Sequence, residues 1–563
     1  MKVFSYNIAG TQQTHYVGAL SEAGRRVYVY PDGADTCRLL YDFAASEGDT
    51  IAYADDAVTV RRTTTVRMGG ENRRAVCIDV GHDATGWWIE GVGSTLGPLN
   101  ATGFGAAGNG DHVERCEVGG REIFSFTSFY MQIDSEGAWR TLPLVSLATP
   151  DSTAITSKDV WQKACTVEVR DTSGAVLLMD TLAQLKGRGN TTWNEAKKPY
   201  AIKLSAKQPV LGMPKHKRWV LLANAYDRTH LKNAAALWMG HATSDRWNPH
   251  GQHVVVTLNG DTLGLYYLCE QIRVDKNRLA IDEMEETDVA EPEVTGGYLL
   301  EMDVNYDEVN KFHTAMRGLP VMVKSPDDDV MTQVQLDYIR QWFDSVEHVL
   351  YDSAVLNREY AIGQMLDLES FADYLLWSEV TVNYELRHPK SVYCYKPRGG
   401  RLTMGPMWDY DWAFDMHPDM PLVCDTSLWY AALLTMPTFR NLVVERWQMM
   451  RPHLGGVIEY IDSLAVSLRS VALADRLLWP QLTINGNEDM EFDDAVADLK
   501  VRIRTRLAQL DALVPMLATD VRRVVWQGRE PHGAAFTIDG RAGHAAPAGH
   551  VVIRDGRKVV VQQ

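Results

Sequence analysis

Nothing in the 563-residue chain approaches the run of about 20 apolar residues that a membrane-spanning helix needs. Its opening segment, MKVFSYNIAG, lacks the apolar stretch of a secretory signal, so a soluble chain is the expectation. Cysteine is scarce and scattered. The seven residues (Cys37, Cys77, Cys116, Cys165, Cys269, Cys394 and Cys424) are odd in number and form no CxxC pair, which argues against a disulfide framework or a zinc site. Positive charge is also short: 56 Lys and Arg against 73 Asp and Glu leave a formal net charge of −17. That is the wrong sign for binding nucleic acid through its phosphates, so no nucleic-acid partner is expected. Solenoid repeats, low-complexity tracts and heptads are missing, as are the GxGxxG and Walker A loops.

What remains is an ordinary globular composition, 45% hydrophobic and 23% charged, on a chain long enough for roughly two to four domains. Residues 1–135 are rich in short alternating segments and turns, among them RVYVY at Arg26–Tyr30, AVTV at Ala57–Val60 and the Pro31-Asp32-Gly33 turn. Together they predict a β-sandwich-like N-terminal domain with Trp87 and Trp88 in its core; an aromatic ligand-binding face is the other reading. From Leu142 strand-like segments continue, and helical patterning takes over near residue 330. Leu336, Ile339, Phe343, Val346 and Leu350 share one helical face, as do Leu368, Phe371 and Leu375. A third stripe runs through Val496, Leu499, Ile503, Leu507 and Leu510, with Lys500, Arg502, Arg504 and Arg506 largely off it. After Asp520 strands return (VRRVVWQ, AAFTIDG and HVVIRDGRKVVVQQ), with Asp539-Gly540 and Asp555-Gly556 as hairpin turns. The fold class is therefore α+β in three units: 1–135, 142–517 and a C-terminal β tail at 520–563.

Three segments carry chemistry. In LKGRGNTTWNEAKKPYAIKL, Gly187 and Gly189 flank Arg188, with Asn190 following; glycines let backbone approach an anion, and a guanidinium grips two phosphate oxygens. Lys197 and Lys198 add charge, and Lys203 falls on a strand in Tyr-Ala-Ile-Lys, where a lysine can hold nucleotide phosphates. A tight turn ahead of a basic surface strand explains the same residues. In GLYYLCEQIRVDKNR, Glu270 lies among apolar residues and needs a cation, for which Lys203 is the candidate; a strand-end glutamate reaching solvent or pairing with the nearby Arg273 is the other reading. The third segment, Trp377–Phe414, holds Asp409 and Asp411 at a spacing that puts both carboxylates on one side of an extended stretch, where a hard divalent ion would neutralise them. Asn383 and Glu385 repeat that spacing upstream. A proton-accepting acid and a metal-holding aspartate are what phosphoryl transfer requires.

LKGRGNTTW with KKPYAIKL, LGMPKHKRWVLLANAYDRTHLKN, LGLYYLCEQIRVDKNRLAI, GGYLLEMDV and GPMWDYDWAF together resemble the CotH kinase family, in its order and approximate spacing, over Leu142–Leu517. The resemblance implies an atypical protein-kinase-like central domain that uses ATP and Mg²⁺ (or Mn²⁺) to phosphorylate serine in a protein substrate. Carried onto this chain, Asp409 is the metal-binding aspartate, with Asp411 and Asn383 as further metal ligands. Glu385 is the catalytic acid, and Lys203, Arg188 and Asn190 contact phosphate; protein-kinase logic, apart from the motif match, adds a pairing of Glu270 with Lys203. Where the family has Asn-x-Asp this chain has Asn383-Tyr384-Glu385, longer by a methylene, and Pro389-Lys390-Ser391 departs from the Asn-containing version. The C-terminal FTIDGRAGHAAPAGHVVIRDGRKVVVQQ and the WIEGVGSTLG run are similar to segments of exported proteins of Bacteroidetes-type bacteria. That resemblance implies a location at the cell surface, in the periplasm or outside the cell. The competing expectation is a catalytically inactive surface protein that binds a protein or glycan partner through its N-terminal domain. Transfer to a sugar, lipid or nucleotide is a third.

Overall fold

The computed structural model describes residues 2–518 except 8–13, 54–55, 70, 80–84, 98–100, 103–112, 114, 126–128, 130–136, 353–354, 356, 416–419 and 480–489. Beyond 518 it describes three strand segments, Ala535–Thr537, Val551–Arg554 and Arg557–Val560. The 521–527 strand and the Asp539-Gly540 and Asp555-Gly556 turns expected from sequence lie outside the described residues. Helices and strands are both abundant, and the fold is α+β.

In the N-terminal region strands β1–β4 (Lys2–Asn7, Thr14–Ala23, Arg26–Pro31, Arg38–Asp42) form one antiparallel sheet, and β5–β9 (Thr50–Tyr53, Asp56–Met68, Glu71–Asp79, Thr85–Ile89, Gly93–Ser94) another. Arg115–Val118 and Arg121–Ser125 (β10 and β11) make a hairpin. Alternation sends Val58, Val60, Val76, Ile78 and Trp88 into a cluster with Leu40, Tyr41 and Phe43 of the first sheet, and Trp87 into a separate cluster with Phe124 and Phe129. Both indoles are therefore core, and Trp88 Nε1 donates to the Ala101 carbonyl at 2.8 Å.

Strands β12–β18 (Leu144–Ala148, Gln162–Arg170, Val176–Gly187, Tyr200–Val210, Met213–Leu222, Gly251–Leu258, Asp261–Glu270) close a barrel in the order β12-β13-β14-β15-β16-β18-β17. Alternate residues fill it: Cys165, Val167 and Val169 from β13, and Tyr200, Ile202 and Leu204 from β15. Asn259 and Gly260, both at positive φ, turn β17 into β18. Residues on the other face of these strands look outward, and that face carries the site.

Helix α1 (Lys232–Thr243) follows β16. A five-stranded sheet built from β19–β23 (Tyr298–Met302, Lys311–His313, Pro320–Ser325, Val392–Lys396, Thr403–Met404) runs in the order β20-β21-β19-β22-β23. Between its strands are inserted α2 (Gln333–Tyr351), α3 (Arg358–Met365) and α4 (Leu368–Thr381); α5 (Tyr430–Leu433), α6 (Pro437–Leu454), α7 (Val457–Leu478) and α8 (Phe492–Leu513) come after. A capping box starts α2, Thr332 accepting from the Gln335 N–H while Gln335 Oε1 accepts from the Thr332 N–H. The stripes of α2, α4 and α8 meet the sheet in one large apolar core. Among the described residues no helix is long and apolar enough to cross a membrane.

Candidate active site

A cavity of about 800 Å³ is lined by the outer face of the barrel and by the sheet β19–β23. Lys186, at the end of β14, and Arg188, in the turn beyond it, supply cations from the barrel side. The Arg188 guanidinium lies 5.4 Å from the centre of the Trp408 ring, a cation–π contact that orients it. From β21 Lys324 adds a third, bonded to Glu301 at 3.1 Å and to Glu308. Gly189 sits at φ 79°, a conformation that favours glycine, whereas Gly187 is small because the Trp193 ring packs against it.

The carboxylates come from two segments. Helix α4 stops at Val382 in the left-handed region, and Asn383 then accepts the Glu385 N–H at 3.2 Å to cap a short 3₁₀ turn. This sets Glu385 into the cavity, 7% exposed, with Oε2 buried and without a hydrogen-bond partner. Its nearest cation, Lys390, stands 3.7 Å from Oε1 and also donates to Thr191 in the glycine turn at 3.3 Å. Burial, then the charge of Asp409, pushes the Glu385 pKa up to about 9. Asp409 accepts from the Ser391 hydroxyl at 3.1 Å. Asp411 is buried against Asn233 of α1, whose Nδ2 donates to it, while Asn233 Oδ1 accepts the Tyr410 N–H at 2.9 Å. Burial and the charges of Asp409 and Asp227 raise the Asp411 pKa to about 7. Val382, Ser391, Asp409 and Phe414 all hold positive φ without being glycine, a concentration of backbone strain around these acids.

The family model described as CotH kinase protein matches residues 185–510, more than half of the chain, beginning one residue before Lys186 and ending within α8. The chain belongs to the CotH kinase family. Kinase-like phosphoryl transfer is the activity at the level of that family. No curated protein matches the chain.

Against this geometry the residues assigned from the CotH resemblance divide. Arg188, Asn190, Glu385, Asp409 and Asp411 all line the one cavity. Three assignments need correction. Lys203 is not among the lining residues, although it shares the outward face with Ala201 and lies opposite Arg218, both of which line the cavity. Glu270 does not meet Lys203. It is opposite Trp219, which is itself opposite the barrel-facing Ile202, so alternation places it on the other side of the wall from Lys203. There Glu270 is fully buried and bonded to Arg278 at 2.5 Å and to the His250 N–H at 2.9 Å. Asn383 caps the loop and is absent from the lining, so it orients Glu385 and offers nothing to a metal in this arrangement. Lys197 also turns away. It is 0% exposed and bonded to both oxygens of Asp475 on α7, at 2.9 and 2.8 Å.

Sequence reasoning missed the lysine–glutamate pair that does lie in the CotH cavity, Lys324 with Glu301, because the partners sit on separate strands that only the folded sheet brings together. It also missed Lys186, Ser391, Lys390 and Asp303. Asp303 accepts the Ser391 N–H at 3.0 Å and so steadies the hydroxyl that bonds Asp409. The alternation of Lys186 with the barrel-filling Leu185 was the available signal.

Proposed function

We propose that the chain transfers a phosphoryl group from ATP, with a divalent metal, to a hydroxyl, with serine in a protein as the acceptor. Residues 142–517 would form the catalytic unit in a protein-kinase-like arrangement, with 1–135 and 520–563 as accessory units of an exported protein. The observation that carries this reading is the buried, unpartnered Glu385 oxygen in a cavity that also presents Lys186, Arg188 and Lys324. A proton-accepting acid beside a cationic cradle suits little other than transfer of an anionic group.

Burial, and after it the charge of Asp409, raises the pKa of both Glu385 and Asp411, so the acids are held close together where ionising them all is costly. Among the described residues no three acidic, His or Cys groups gather into a protein-only cage. Mg²⁺ characteristically takes one or two carboxylates and completes its shell with water and substrate phosphates, which fits Asp409 and Asp411. When bound, such an ion would neutralise the acids and the phosphate oxygens between them. Lys186, Arg188 and Lys324 would hold the triphosphate, with Asn190 beside them in the turn. Glu385, ionised once a bound ion offsets the charges of Asp409 and Asp411, would accept the proton of the acceptor hydroxyl as the hydroxyl oxygen bonds to the γ-phosphorus and the bond to ADP breaks. Lys390, within reach of both Glu385 and Thr191, would keep that acid close to the glycine turn.

Thermal melting with ATP alone, Mg²⁺ alone and both tests the proposal, because a ligand that binds only the folded state raises the melting temperature. A shift that needs both ligands and vanishes in Asp409→Ala supports it. No shift at saturating concentrations sinks it.

A further inference from the structure

The cations of the cavity fall into two kinds. Some are paired with an acid, as Lys324 is with Glu301 at 3.1 Å, Arg273 with Asp327 at 2.9 Å and Lys390 with Glu385 at 3.7 Å. Among the described residues Lys186, Arg188 and Arg218 have no carboxylate within ion-pair distance, and each rests on an indole instead. Arg188 has Trp408. The other two share one ring: Lys186 Nζ lies 5.1 Å and the Arg218 guanidinium carbon 4.8 Å from the centre of Trp161. The difference matters to an incoming anion. A carboxylate cancels the charge it orients, whereas an aromatic face orients a cation and leaves its charge uncompensated.

Trp161 does not line the cavity, so it acts there only through the residues it holds. It immediately precedes β13, where Gln162 lies opposite Leu185, and this register brings the indole beside Lys186. The Ser157 carbonyl accepts the Gly187 N–H at 2.9 Å and ties the same segment to the glycine turn. The ring holds together two charges that oppose one another: after burial, the charge of Arg218 is the next cause that lowers the Lys186 pKa. Without the ring, Lys186 would be drawn toward Asp159 and Glu308, and Arg218 toward Asp327, acids whose charges already reach them. Trp161 also lies outside residues 185–510, so membership of the CotH family does not account for it.

We infer that Trp161 is a positioning residue, holding Lys186 and Arg218 as an uncompensated pair that receives the substrate's phosphates; this rests on the phosphoryl-transfer reading above.

Titration calorimetry of the full chain with Mg²⁺ and tripolyphosphate, at low ionic strength, tests the inference. Trp161→Leu should weaken binding about tenfold, the scale of two cation–π contacts, and Trp161→Phe, which keeps an aromatic face, about threefold. In a Lys186→Met, Arg218→Met background the same Trp161 changes should cost less than about twofold, because the cations they act through are gone. The phenylalanine variant, which fills most of the same space, carries this comparison should the leucine variant not fold. Losses of equal size in both backgrounds would show that the ring supports the fold at large, and that overturns the inference. So does a Trp161→Leu protein that binds tripolyphosphate as tightly as the wild type, and in both cases phosphoryl transfer stands. If the wild type itself does not bind tripolyphosphate, the phosphoryl-transfer reading falls, and this inference with it.

Discussion

After burial, the charge of Asp409 is the next cause that raises the pKa of two neighbouring carboxyls, and removing it has consequences for stability as well as turnover. Asp409→Ala should abolish nucleotide turnover and yet melt no lower than the wild type without metal, because a like-charge repulsion disappears. A large drop in melting temperature would contradict that. Glu385 adds a pH signature. Its folded pKa of about 9 lies above the value of 4.5 it has when unperturbed, so between those values the folded protein holds a proton that the unfolded chain has released. Its contribution therefore declines as pH rises through that window. Urea melts of the metal-free protein from pH 5 to 9 should show falling stability, and Glu385→Gln should flatten the slope; the part due to Asp411, raised in the same direction, should persist. An identical slope in the variant would show that Glu385 is not the titrating group. Glu385→Asp should keep or raise activity, since it restores the shorter acid of the family's Asn-x-Asp, and single-turnover rates would reveal a loss instead.

Elements position these acids, and α8 contributes most. Arg506 is 0% exposed although it is charged. Its guanidinium donates to the Glu379 carboxylate at 2.6 Å, to the Glu379 carbonyl at 2.9 Å and to the carbonyls of Met420 and Pro421 at 3.3 and 3.1 Å. Glu379 in turn accepts the N–H groups of Val423 and Cys424, and Cys424 Sγ bonds the Asn383 carbonyl at 3.5 Å. The last helix thus fastens the end of α4 to the segment after Asp411. Arg506→Met leaves the Glu379 charge buried and should cost about 3–5 kcal/mol, measurable by urea unfolding; a loss under about 1 kcal/mol, the range of surface pairs, would mean that water reaches the pair. Helical stripes such as Ile339–Phe343–Val346–Leu350 were legible because periodicity reports burial directly. Arg506 was not. It lies beside the apolar stripe of α8, and only a partner on another helix makes a buried arginine tolerable. Lys203 and Lys186 differ for a similar reason: both alternate with barrel-filling residues, but how far along a strand a cavity extends depends on the sheet packed against it.

At the scale of the whole molecule, nucleotide and metal should act as one ligand, since the phosphate cations come from the barrel and the sheet while the acids come from loops following α4 and β23. Substituting Lys324→Met should weaken tripolyphosphate binding by about tenfold, the usual scale for a charge-assisted contact, while leaving the α-helical core intact; unchanged affinity by calorimetry would remove Lys324 from the phosphate site. Architecture class and the acids of the cavity were readable from pattern and motif. The pairing of its cations was not, because Glu301–Lys324 and Lys197–Asp475 join stretches that only the completed fold brings together.

That last pair has a bearing on biosynthesis. Lys197 leaves the ribosome 278 residues before Asp475, a delay of roughly 15–55 s at ordinary elongation rates. Throughout it the lysine lacks the carboxylate that makes its burial tolerable, and burying it alone would favour loss of its proton. The segment joining the glycine turn to β15 should therefore settle only after α7 has docked. A nascent chain stopped short of that helix should leave Lys197 unpaired, and completion of the cavity's barrel side should come late, after nearly the whole chain has been made.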